Sequence, residues 1–204
     1  MAVPEIEAYR VSSLARREGT AVDVGANWGL YTYAMARACA EVVAFEPNPE
    51  ASTLIRAARL PNVRLLDAAL SSKEGTARLH MPVRNGMELA SWGSLLGDRM
   101  AGEVAVATLE VRLMRLDDFA LKDVCFIKID VEGHELDVLA GARETIAESR
   151  PVCLIEASEK TLPAVVAFFS RISPDYNRAA DLAGVPLSSG NYLFRTSDRL
   201  TGAR

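Results

Sequence analysis

Val22-Asp23-Val24-Gly25-Ala26-Asn27-Trp28-Gly29 decides how this chain is to be read. An apolar strand runs into a glycine-studded turn, and the turn opens a helix. About 20 residues later, Ala44-Phe45-Glu46-Pro47-Asn48-Pro49 ends a second apolar strand in an acid, where nucleoside-binding α/β folds place the carboxylate that holds a ribose. The two segments together point to a ligand that carries adenosine. The plainer alternative is an ordinary strand-to-helix turn followed by an incidental acid.

The turn itself separates the candidate ligands. A dinucleotide fingerprint needs G-x-G-x-x-G so that the backbone can approach a pyrophosphate. Here those positions hold Gly25, Asn27 and Leu30. A phosphate-cradling P-loop ends in Gly-Lys-Ser/Thr, and the chain contains no Gly-Lys pair. A ligand with ribose and adenine but no phosphate remains, and S-adenosylmethionine fits that description.

A third segment, Phe126-Ile127-Lys128-Ile129-Asp130-Val131-Glu132-Gly133-His134-Glu135, is again an apolar strand that meets acids, a glycine and a helix start. With the first two it resembles the FkbM family of S-adenosylmethionine-dependent methyltransferases. That family is recognised by a D-x-G-A-N-x-G turn, an F-E-P-N-P strand end and a K-I-D-V-E-G-x-E strand end. A later family strand ending in glutamate is matched by Val152-Cys153-Leu154-Ile155-Glu156, and agreement is weaker at Asn191-Tyr192-Leu193-Phe194. The resemblance implies an α/β, Rossmann-like class I methyltransferase fold. Its sheet would be seven-stranded and mostly parallel, with one antiparallel strand near the edge, helices on both faces and a small antiparallel insertion.

Length and composition narrow the function. A chain of 204 residues, half of them hydrophobic, suits one buried core, so residues 1–204 are expected to form a single methyltransferase domain. A net charge of −4 without a basic run gives no attraction to nucleic acid. Residues 1–7 lack a basic start and an apolar core, and no apolar stretch is long enough to span a membrane, so a cytoplasmic protein is expected. Cys39, Cys125 and Cys153 sit in separate apolar segments and should be buried free thiols.

Strand and helix alternate along most of the chain, as in a parallel sheet covered on both faces. Strands are expected at 21–24, 42–46, 63–66, 124–130, 152–156, 176–180 and 191–195, and helices at 30–39, 50–59, 135–148 and 162–171. The helix at 135–148 would bury Leu136, Leu139, Ala142 and Ile146. Residues 76–81 and 104–113 alternate in the period of half-exposed antiparallel strands. They flank a glycine-rich interval, 85–102, whose Trp92 and Leu95 could form a cover over the acceptor.

Candidate site residues follow from strand ends. Gly25 and Gly29 let the backbone approach the ligand's methionine portion, while Asn27 offers a donor and an acceptor to its amino and carboxylate groups. Asp23 could accept from the ammonium or cap the turn, and Thr32 could reach the carboxylate. Glu46 accepts the ribose hydroxyls; Asp67 and the backbone of Ala68 could meet the adenine. Asp130, Glu132, His134 and Glu135 gather on the ligand side of the sheet.

Methyl transfer requires an aligned acceptor and a group to take its proton. His134 has a suitable intrinsic pKa, and Asp130 and Glu156 could hold the acceptor hydroxyl or a divalent cation. Glu135 is equally explained as a first-turn helix acid, and His80 as an exposed strand residue. By the resemblance, the reaction is O-methylation of a small molecule, a sugar or glycan, or a polyketide-like product. The alternatives are N-methylation and a non-catalytic nucleoside-binding partner subunit. With about 20 residues before the first strand, the acceptor site is expected to draw on the insertion, a partner chain such as a second copy, or further sequence.

Overall fold

The computed structural model describes residues 7–84, 87–88, 93–95, 106–179, 181–182 and 185–197. The described residues form thirteen strands and six α-helices. In order, the chain runs through α1 (Val11–Leu14), β1 (Thr20–Val24), α2 (Leu30–Ala38), β2 (Glu41–Phe45), α3 (Thr53–Ala58), β3 (Val63–Leu66), β4 (Ala69–Leu70) and β5 (Gly75–Arg84). It continues through β6 (Met87–Glu88), β7 (Val106–Met114), β8 (Val124–Ile129), α4 (Glu135–Gly141), α5 (Arg143–Ser149), β9 (Val152–Glu156) and α6 (Leu162–Ile172). The last strands are β10 (Tyr176–Ala179), β11 (Asp181–Leu182), β12 (Val185–Pro186) and β13 (Asn191–Thr196).

The main sheet has seven strands in the order β10-β13-β9-β8-β1-β2-β3. Its strands from β9 to β3 are parallel, and β13 alone runs antiparallel to both neighbours. This is the sheet anticipated from the sequence, including its one reversed strand. Strands β1 and β8 are buried along their whole length, which is why they read as continuous apolar runs rather than alternating ones. One face of the sheet packs Val22, Val24, Val43, Phe45, Ile127 and Ile129 against α4, α5 and α6. The opposite face sets Ala21, Val42, Phe126 and Leu154 against α1 and α2.

The insertion forms a second sheet, β4-β7-β5-β6. Its long ladder pairs β5 with β7 from Gly75 opposite Leu113 to Pro82 opposite Val106, antiparallel as the alternation predicts. Residue 104, the expected start of β7, and residue 180 lie outside the described residues, as does most of 85–102 including Trp92.

The expected helix at 135–148 is two helices. The chain breaks at Gly141-Ala142, where Ala142 leaves the helical region with φ −113° and ψ 8°, and Gly141 packs so closely on the Ser71 carbonyl that an added Cβ would stand 2.0 Å from its oxygen. The new N-terminus is capped from outside: Asp117 accepts from the amides of Glu144 (3.2 Å) and Thr145 (2.9 Å) and from the Thr145 hydroxyl (2.9 Å). Of the residues expected on the buried face, Leu139, Ala142 and Ile146 are buried, whereas Leu136 is 39% exposed and Val138 takes its place.

All three cysteines are free and buried, with Cys39 and Cys125 sulfurs 4.0 Å apart. No helix among the described residues is long and apolar enough to cross a membrane.

Candidate functional site

The site is built where β1, β2, β8 and β9 end. At the end of β1 the amides of Gly25 and Ala26 both donate to the Phe45 carbonyl, at 2.9 and 3.0 Å, which folds the turn over the end of β2. Gly25 has φ 78°, and a Cβ there would lie 1.8 Å from the Asp130 carbonyl oxygen. The turn therefore lies flat against the end of β8, and only glycine allows it. Asn27 follows in the left-handed region with φ 49°, and its amide points to Glu46. Gly29, with φ 91°, then starts α2.

Glu46 is held by its backbone surroundings. Its Oε2 accepts from the Asn27 amide (2.9 Å) and its Oε1 from the Asn48 amide (2.8 Å). A carboxylate has about four lone-pair sites, so roughly two remain for a ligand's hydroxyls. Burial pushes its pKa up to about 7, although the two amides pull the other way; Asp23 and Asp130 add to the rise.

A cavity of about 530 Å³ opens above these strand ends. Gly25, Glu46, Asp130 and Glu156 line it from the main sheet, and Leu70, Leu79 and Leu95 supply an apolar wall from the insertion. Trp28 lines it while remaining 48% exposed. Its charges have one sign: Glu46, Asp130, Glu132 and Glu156 line it, and among the described lining residues there is no lysine or arginine. Such a cavity disfavours phosphates and suits a ligand carrying positive charge.

Lys128 lies just below, in β8, and its role was not read from the sequence. Its side chain is 1% exposed and its ammonium stands 3.6 Å from Asp130 Oδ2 and 3.9 Å from Glu156 Oε2. Burial pushes the Glu156 carboxyl up to about 7; neighbouring Asp130 adds to the rise and Lys128 opposes it. The available signal was a lone charge inside the apolar run Val124–Ile129. Among the described residues no group of three or more His, Cys, Asp or Glu side chains could hold a metal ion. The cation beside Asp130 and Glu156 is the chain's own.

Other sequence candidates sit apart from the cavity. The Thr32 hydroxyl donates to Asp23 Oδ2 at 2.5 Å, so these two pin α2 to β1 and neither lines the cavity. Both are buried, and desolvation pushes the Asp23 carboxyl up to about 6. Asp67 is ion-paired with Arg56, and neither it nor Ala68 is a lining residue; the neighbouring Ala69 and Leu70 are. Gly29 faces Ile55 rather than the cavity.

His134 does line the cavity, but its Nε2 is 3.0 Å from the Ser71 hydroxyl and its Nδ1 is 3.6 Å from Asp137. Burial lowers its pKa. Glu135 is 3% exposed and accepts from the Gly133 amide (2.6 Å), which stabilises the sharp turn before α4. His80 is half-buried on β5.

Comparison with known proteins identifies the family and the fold. The family profile described as Methyltransferase FkbM domain matches residues 23–174. The 2-O-methyltransferase NoeI of Sinorhizobium fredii is 30% identical over 161 residues, covering 69% of this chain and 64% of that protein. Among solved structures, the methyltransferase FkbM from Methylobacillus flagellatus KT superposes with a TM-score of 0.61 at 17% identity, covering 87% of this chain and 43% of that one. SMU.1697c from Streptococcus mutans, solved in complex with SAH, superposes with a TM-score of 0.52 at 13% identity, covering 95% of this chain and 97% of that one. The chain therefore spans 64% of the length of the relative and 43% of the length of the FkbM structure. The structural likenesses establish a Rossmann-like methyltransferase fold.

Proposed function

The chain belongs to the FkbM family of S-adenosylmethionine-dependent methyltransferases, and from that premise we propose that it methylates a hydroxyl oxygen of a small-molecule or glycan acceptor. The observation that carries this reading is the cavity itself. It is lined by four carboxylates and, among its described residues, no lysine or arginine, and it is floored by a turn that only Gly25 permits. A nucleoside bearing a sulfonium and an ammonium matches that charge, whereas a dinucleotide's phosphates do not. When bound, S-adenosylmethionine supplies an electrophilic methyl carbon.

The chain's residues then have distinct tasks. Glu46 accepts the ribose hydroxyls, and its two backbone amides fix its orientation in advance. Gly25 and Asn27 place backbone close to the ligand's methionine portion. Asp23 and Thr32 support the turn from beneath. Asp130 and Glu156 hold the acceptor hydroxyl, and Glu156, with its pKa raised to about 7, takes the proton. His134 is less suited to that step because its Nε2 is engaged by Ser71. Oxygen rather than nitrogen as the acceptor atom rests on the 2-O-methyltransferase relative and on this poised carboxyl pair.

Release of S-adenosylhomocysteine from methyl-labelled cofactor, screened over sugars and other hydroxylated acceptors, tests the proposal. Asp130→Asn and Glu156→Gln keep shape and remove charge, so each should lower turnover by about 100-fold while S-adenosylhomocysteine still binds. Turnover with amines alone, or wild-type rates in both amides, would contradict it.

A further inference from the structure

Lys128 is the only charged residue in β8, and elements converge on it from every side. Its register partners are Asp23 on β1 and Leu154 on β9. Its ammonium donates to Asn191 Oδ1 of β13 at 3.1 Å and lies 5.1 Å from the centre of the Tyr31 ring of α2. Asp130 and Glu156 complete the surround at 3.6 and 3.9 Å. A buried ammonium is costly to keep unless paired, and this one faces three carboxylates and an amide oxygen.

We propose that Lys128 is a positioning residue for the reaction above, a built-in cation that holds Asp130 and Glu156 together at the floor of the cavity. This assignment rests on the proposed methyl transfer. The two carboxylates are 29% and 42% exposed, so their side chains have room to part, whereas Lys128 is fixed in the central strand at 1%. Without it Asp23, Asp130 and Glu156 would bring three like charges to adjoining strand ends. Lys128 lowers the pKa of Asp23 and Glu156, and Asp130 raises both, so the ammonium opposes the rise that the neighbouring carboxylate causes in each.

Lys128→Met, which keeps length and removes charge, is the direct test in the full chain. At neutral pH its kcat should fall at least about tenfold. The acidic limb of its pH–rate profile should move upward by about a unit, so that activity partly returns at alkaline pH. Affinity for S-adenosylhomocysteine, read by calorimetry, should change less than about threefold. Wild-type turnover should be indifferent to EDTA. An unmoved limb, a loss that is uniform across pH and matched by lost ligand affinity, or EDTA inactivation reversed by magnesium would each overturn the proposal.

If Lys128→Met does not fold, Asn191→Leu removes the ammonium's other oxygen partner and leaves the charge to the carboxylates. Its limb should stay in place or move down, and an upward move would contradict the assignment. Should the wild type bind S-adenosylhomocysteine yet methylate nothing, the proposed reaction fails separately. The Glu156 carboxyl carbon, assigned with Glu156→Gln, then decides the role of Lys128 by NMR titration. A higher pKa in Lys128→Met supports it, and an equal one overturns it.

Discussion

At Gly25 the backbone turns with φ 78° while the carbonyl of Asp130 lies against it, so that a Cβ would sit 1.8 Å from that oxygen. Gly25→Ala must bear left-handed strain of about 1–2 kcal/mol and also push the end of β8 away. We expect its melting temperature to fall by at least about 5 °C, since 1 kcal/mol moves a domain of this size by roughly 2–4 °C. Differential scanning calorimetry would show it, and an unchanged melting temperature would mean that the turn is not packed as described. Gly25 and Glu46 were legible in the sequence because a turn between strand and helix and a strand-end acid leave local signatures. The mutual engagement of Asp23 and Thr32 was not. A strand-end position says nothing of which sheet face its side chain takes, and Asp23 shares its face with α2. Lys128 was quoted within its motif without a role, because only the folded register brings Asn191 and Glu156 to it.

Among elements, α5 depends on a residue outside itself. Asp117, in the turn after β7, is 3% exposed at its side chain and accepts three hydrogen bonds from the start of α5. Asp117→Ala should destabilise the protein by about 0.5–2 kcal/mol, the usual cost of losing a helix cap. Urea unfolding would register this as a lower midpoint with an unchanged slope, and an equal midpoint would show the cap to be dispensable. The apolar periodicity of 135–148 could not reveal the break, since the cap that starts the second helix comes from the distant Asp117. The buried strands of the main sheet were readable to within a residue or two because burial on both faces writes a continuous apolar run. The two-residue strands β4, β6, β11 and β12 are too short to carry a period, and their pairing is set by tertiary contact.

At the scale of the molecule, burial raises the carboxyl groups of Asp23, to about 6, and of Glu46 and Glu156, to about 7. Between the unfolded and folded pKa values the folded state binds more protons than the unfolded one. This contribution to stability is therefore present at low pH and is lost as pH rises toward about 7. The unliganded protein is expected to melt at a higher temperature near about pH 5.5 than near pH 8, and a melting temperature that climbs steadily over that range would contradict this. Bound ligand should narrow the difference, because hydroxyl donors on Glu46 and positive charge near Asp130 favour the ionised forms. Those same groups define the account's central claim, that this cavity holds S-adenosylmethionine with Glu46 as its ribose anchor. The most direct measurement is calorimetric titration of S-adenosylhomocysteine into the wild type and Glu46→Ala. The account predicts one site per chain in the wild type and an affinity about 10- to 100-fold weaker in the variant, as losing hydrogen bonds to a charged group costs about 1.5–3 kcal/mol. No binding to the wild type, or equal affinity in a folded Glu46→Ala, would contradict it.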